Sequence, residues 1–124
     1  MPKILIFDDD TDILELCSII LGSKGFETIA KPDSKSVIKE IIETAPDVIL
    51  MDNWIPGIGG VKATQLIKGH PDTAAIPVIF FSANNNIEDL AKEAQADYCL
   101  KKPFDITELA SIVANALGKT NGTQ

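Results

Sequence analysis

Two cysteines in 124 residues are too few for a disulfide framework. Cys17 and Cys99 each lie inside an apolar segment, so they read as buried reduced thiols rather than a disulfide or metal pair. No basic run occurs, and the net charge is -7, which excludes an electrostatic nucleic-acid surface. No apolar stretch approaches the length of a membrane span. No signal peptide precedes the first apolar run at Lys3, so a cytoplasmic protein without a membrane partner is expected. Repeats, linkers and composition breaks are also lacking. One domain is therefore expected over residues 1–119, with a flexible polar tail over 120–124.

What the chain does have is a set of short apolar runs that end at polar side chains. The central one, Val48-Ile49-Leu50-Met51, stops at Asp52 and breaks into the loop Asn53-Trp54-Ile55-Pro56-Gly57-Ile58-Gly59-Gly60. An apolar run bounded by turn residues suits a fully buried strand. Similar runs are Lys3–Phe7, which ends at Asp8-Asp9-Asp10, and Pro77–Ala83, which contains Ser82 near its end. Phe26–Ala30 alternates like a strand, and the less apolar Asp97–Lys101 leads into Lys102-Pro103.

Helical spacing fills the intervals. Ile13, Leu14, Cys17, Ile20 and Leu21 mark a first helix stopped near Gly25, and Val37, Ile38, Ile41, Ile42 and Ala45 a second. The second is expected to start at Asp33 or Ser34 and to close at Pro46. Val61–Lys68 is a short third helix, and Ile87, Leu90, Ala91 and Ala94 mark a fourth, with Asn84 to Asn86 as candidate caps. The last carries the capping-box pattern Asp105-x-x-Glu108 and is expected to end at Gly118. Five strands alternating with five helices predict an α/β fold, a parallel sheet covered on both faces.

In a doubly wound sheet of order 2-1-3-4-5, ligands gather at the carboxyl ends of the strands. That edge would collect Asp8, Asp9, Asp10, Asp52, Ser82 and Lys102. Crowded carboxylates are costly unless a cation neutralises them, and oxygen ligands suit Mg²⁺. A hydroxyl and an ammonium facing them make a cradle for a phosphoryl group. Each element taken singly is weak, since acidic turns and capping serines are common.

Four motifs in order, ILIFDDDTDIL, PDVILMDNWIPGIGG, PVIFFSA and KPF, make the chain similar to the receiver domain of two-component response regulators over essentially its whole length. The resemblance implies a flavodoxin-like fold and a stand-alone single-domain regulator in a phosphorelay. Asp52 would be the phosphoacceptor, taking phosphate from the phosphohistidine of a sensor histidine kinase or histidine phosphotransfer protein. Asp8, Asp9, Asp52 and the backbone carbonyl of Trp54 would hold Mg²⁺, and Lys102 and Ser82 would contact the phosphoryl group. A cis bond is implied at Lys102-Pro103. Signalling would proceed by phosphorylation-dependent docking on a protein target, without turnover of an external substrate.

The sequence departs from the family where the switch aromatic belongs. Cys99 stands three residues before Lys102, and Tyr98 is one residue early, facing the other way by strand alternation. Trp54 and Asn84 occupy the positions that tune acyl-phosphate lifetime in the family, while Gln95 replaces a frequent glycine and Gly59 a frequent aspartate. Cys99 favours one alternative, a phosphate-independent pseudo-receiver. The other is a phosphatase of the haloacid-dehalogenase type, suggested by Phe7-Asp8-Asp9-Asp10, but Asp12 replaces its expected Thr or Val. His70, beside Pro71, reads as a surface loop residue.

Overall fold

The computed structural model describes residues 1–33 and 35–120. Its elements are β1 (Lys3–Phe7), α1 (Thr11–Ser23), β2 (Glu27–Lys31), α2 (Val37–Thr44), β3 (Val48–Asp52), α3 (Gly60–Gly69), β4 (Val78–Ser82), α4 (Ile87–Ala94), β5 (Tyr98–Lys101) and α5 (Ile106–Thr120). The five strands are parallel and lie in the order β2-β1-β3-β4-β5. This is the flavodoxin-like, doubly wound architecture expected from the sequence.

Strand alternation sorts the core into two layers. Ile4, Ile6, Val48, Leu50, Ile79 and Phe81 face α1 and α5, where Cys17, Leu21, Leu109 and Val113 meet them. Leu5, Phe7, Ile49, Met51, Val78 and Phe80 face Val37, Ile41, Ala63, Ile67 and Ala91 from α2, α3 and α4. Every residue of β3 and β4 is buried, which is why those strands lack alternating polarity. Each large apolar side chain there contributes about 1.5–3 kcal/mol by leaving water. Tyr98 and Cys99 divide as alternation requires. Tyr98 packs on the α1/α5 layer and its hydroxyl donates to the Asn115 carbonyl at 3.4 Å, whereas Cys99 packs on the opposite layer.

Local capping chemistry sets where each helix begins and ends. Gly25, at φ +90°, closes α1: its N–H donates to the Gly22 carbonyl while the Phe26 N–H reaches back to Leu21, each near 3 Å. At α5, the Asp105 carboxylate accepts from the Glu108 N–H at 2.7 Å and Glu108 accepts from the Asp105 N–H at 3.0 Å, as the capping box requires. α2 starts later than expected, at Val37 with Ser36 as its cap residue. Asp33 accepts from the Lys35 N–H at 3.5 Å, a turn-type contact rather than a helix cap, and Ser34 lies outside the described residues. α2 ends on Ala45, held in the left-handed conformation at φ 50°, one residue before Pro46. α4 likewise ends on left-handed Gln95 at φ 67°, which accounts for the glycine frequent there in the family. α5 runs through Gly118 to Thr120, so the glycine does not end it, and residues 121–124 of the expected tail lie outside the described residues. Among the described residues, no helix is long and apolar enough to cross a membrane.

Candidate functional site

The register of the sheet brings the strand ends together. Phe7 pairs with Met51, Asp52 with Phe81, and Ser82 with Lys101. Asp8 therefore emerges beside Asp52, with Ser82 and Lys102 on the neighbouring strands. These side chains, with Asp9, Asp10, Trp54, Ala83 and Asn84, line one open cleft of about 440 Å³. A second opening of about 410 Å³ continues from Asp9 and Trp54 along the loop to Gly59.

Asp8 and Asp52 are only 1% and 5% exposed, and Ser82 is also buried. The Lys102 ammonium joins the two carboxylates, with Nζ 2.7 Å from Asp8 Oδ2 and 2.8 Å from Asp52 Oδ1. The same Nζ sits 4.6 Å from the centre of the Phe81 ring, which packs on Phe104 just beyond the cis Lys102-Pro103 bond. Main-chain donors hold the other carboxylate oxygens: Asp10 N–H on Asp8 Oδ1 and Trp54 N–H on Asp52 Oδ2, both at 2.9 Å. Across the cleft, Ser82 Oγ accepts from the Asn84 N–H at 3.0 Å.

Burial pushes Asp52's carboxyl above its ordinary value; the hydrogen bond from Lys102 opposes this, and the charge of Asp8 adds to it. For Lys102, burial alone would lower the pKa. Hydrogen bonds and charge from Asp52 and Asp8 outweigh it, so the ammonium is held more firmly than usual. One ammonium thus stands against two buried carboxylates, and a third lies nearby. Single oxygens of Asp8, Asp9 and Asp52 fall within 4.8 Å of one another, with Asp9 exposed to solvent. An all-carboxylate donor set of this spacing, with excess negative charge, fits a hard divalent cation such as Mg²⁺.

The three consecutive aspartates have separate tasks. Asp8 and Asp9 face the cluster, whereas the Asp10 carboxylate accepts from the Asp12 and Ile13 N–H groups and caps α1. Trp54 reaches the site through its backbone N–H, while the residue as a whole is 78% exposed. Sequence reasoning overlooked Gly60. Its N–H donates to the Asn53 carbonyl at 3.0 Å, and a Cβ there would collide with the main-chain carbonyl of Asp52. The double glycine after Pro56 was the available signal.

The family model described as response regulator receiver domain matches residues 4–114. The chain belongs to that family. Its relatives include the DNA-binding dual master transcriptional regulator RpaA of Synechocystis sp., 33% identical over 98% of this chain and 51% of the relative. The phosphate regulon transcriptional regulatory protein PhoB of Klebsiella pneumoniae is 32% identical over 88% of this chain and 48% of its own length. The chain thus spans about half the length of these curated relatives. Among solved structures, the signal receiver domain of a signal transduction histidine kinase from Syntrophus aciditrophicus superposes with a TM-score of 0.91 at 28% identity, covering 100% of this chain and 96% of that one. The NtrX receiver domain from Brucella abortus gives 0.82 at 32%, covering 92% and 97%. This receiver domain therefore works in two-component signalling, and the haloacid-dehalogenase alternative is displaced.

Proposed function

We propose that Asp52 of this receiver domain accepts a phosphoryl group from a phosphohistidine on a sensor histidine kinase or histidine phosphotransfer protein. The observation that carries the reading is the single Lys102 ammonium shared by buried Asp8 and Asp52 at the edge of an open cleft. In the transfer, an Asp52 carboxylate oxygen forms a bond to phosphorus as the P–N bond breaks. The electron pair leaves with the imidazole, which takes up a proton. Phosphoryl transfer needs in-line positioning and neutralised equatorial oxygens, with little covalent help from the protein.

Asp8, Asp9 and Asp52, with the Trp54 backbone carbonyl, would hold Mg²⁺, which supplies charge neutralisation to the carboxylates and the phosphoryl oxygens. Lys102 already lies within hydrogen-bond reach of Asp52 Oδ1, so its ammonium pairs with phosphoryl oxygens there. Ser82 offers its hydroxyl from the opposite wall. The domain turns over no external substrate, acts in the cytoplasm, and signals by docking on a protein target. Its net charge of -7 weighs against direct nucleic-acid contact. A phosphate-independent docking module is the second reading, favoured by Cys99 at the position of the switch aromatic.

Trp54, the one tryptophan of the chain, reports on both steps. Mg²⁺ should change its fluorescence, and beryllofluoride, which occupies a carboxylate as a phosphoryl group would, should change it again only with Mg²⁺ present. Asp52→Asn should abolish the second response. Its persistence in that variant would overturn the assignment of Asp52, and its absence from the unaltered protein would favour the phosphate-independent module.

A further inference from the structure

Lys101 and Lys102 are consecutive, yet they hold different parts of the cleft. Lys102 reaches the buried carboxylates, whereas exposed Lys101 donates from Nζ to Asn85 Oδ1 at 2.7 Å. That bond ties the end of β5 to the loop between β4 and α4, whose residues Ala83 and Asn84 line the cleft beside Ser82. The loop's other side-chain bonds are local. The Asn84 N–H donates to Ser82 Oγ at 3.0 Å and the Asn86 N–H to Asn84 Oδ1 at 2.8 Å.

Main-chain bonds fix the two ends of this rim, the Lys102 N–H on the Ser82 carbonyl at 2.9 Å and the Ile87 N–H on the Asn84 carbonyl at 3.2 Å, while its side chains are loosely held. Residues 83–86 are exposed, and Asn86, the cap residue of α4, makes no side-chain bond to the helix. Cys99 packs on the α3/α4 layer and Tyr98 is held toward α5, so neither side chain takes the place of the tie. Among the described residues, the Lys101–Asn85 bond is the one side-chain hydrogen bond joining the loop to a distant strand. The carboxylate wall is held independently by Lys102 and by the N–H groups of Asp10 and Trp54.

We propose that Lys101 and Asn85 are positioning residues for the phosphoryl half of the site. Their bond sets the β4–α4 loop so that Asn84, beside Ser82 at the end of β4, faces a group on Asp52. This rests on the phosphoacceptor reading, and it divides the site: the tie governs the rim that meets the phosphoryl group and leaves the metal-holding wall alone.

The test compares Lys101→Ala, Asn85→Ala, the double variant and Lys101→Arg with the unaltered protein. Mg²⁺ affinity is measured by calorimetry, and beryllofluoride affinity is measured at saturating Mg²⁺. Each alanine variant should weaken beryllofluoride binding by about threefold, the scale of one exposed charge-assisted hydrogen bond. Mg²⁺ affinity should stay unchanged, the double variant should be no weaker than either single one, and Lys101→Arg should restore binding. Unchanged beryllofluoride binding in both single variants, additive losses, or equal losses for both ligands would overturn the proposal. An unaltered protein that binds Mg²⁺ but never beryllofluoride would instead overturn the phosphoacceptor reading, and the role of the tie with it.

Discussion

At the scale of single residues, the site is a problem in charge, and Lys102 is its internal solution. Removing the ammonium leaves Asp8 and Asp52 buried without their shared partner. Lys102→Met should therefore destabilise the metal-free protein at neutral pH by about 3 kcal/mol, the scale for breaking a buried pair. Saturating Mg²⁺ should recover part of that loss by linkage. Urea unfolding with and without Mg²⁺ measures both, and a variant as stable as its parent without metal would remove Lys102 from this role. Asp52 titrates in the opposite sense to an ordinary paired carboxylate. Its raised pKa means that the folded protein holds the proton more tightly than the unfolded chain does. The resulting stability is complete below 3.8 and is lost as pH rises through the folded value. Asp52→Asn should then stabilise the metal-free protein at neutral pH, with the advantage shrinking toward pH 3.8. A stability difference that stays flat across this range, measured by urea unfolding, would contradict the burial argument. The gathering of Asp8, Asp9, Asp52, Ser82 and Lys102 at one edge was legible in the sequence because each lies at or just past the end of an expected strand. The division of labour was not, because adjacent aspartates look alike until Asp10 is seen capping α1.

At the scale of elements, apolar runs predicted the strands closely because burial leaves few alternatives. β1 matches its expected span, and β2 is shifted by a single residue. Ends governed by backbone geometry were less legible. Asp33 and Ser34 resemble helix caps in sequence, but the first full apolar turn of α2 begins only at Val37. Ala45 and Gln95 end helices in a conformation that neither side chain advertises. Two substitutions separate space from conformation. Gly60→Ala places a methyl group against the Asp52 carbonyl and should cost about 1–3 kcal/mol, with weaker Mg²⁺ binding as the β3–α3 loop shifts. Gln95→Gly removes the strain of a left-handed side-chain residue and should stabilise by up to about 1 kcal/mol, leaving Mg²⁺ affinity unchanged. Thermal unfolding and metal titration of both variants check the pair. Equal metal affinity in Gly60→Ala and its parent would mean that the loop's path does not depend on that glycine.

At the scale of the whole molecule, the parallel sheet does one thing for function: it carries side chains from four strands, distant in sequence, to a common edge. Asp8 and Lys102 are 94 residues apart and share a hydrogen bond. No local signal encodes that contact. It follows from the strand order β2-β1-β3-β4-β5, which puts β1 beside β3 and β3 beside β4. Alternating apolar runs predicted the parallel sheet, and the resemblance to receiver domains implied its strand order; the distances, the burial of Asp8 and the Lys101 tie required the folded molecule. The proposed work of this edge is to deliver a phosphoryl group to Asp52. The protein is incubated with acetyl phosphate and Mg²⁺, and the phosphorylated residue is mapped by mass spectrometry after rapid digestion in acid. Phosphate on Asp52, dependent on Mg²⁺ and absent from Asp52→Asn, is the predicted result; undiminished phosphorylation of Asp52→Asn, with the group on Asp8 or Asp10, would contradict it.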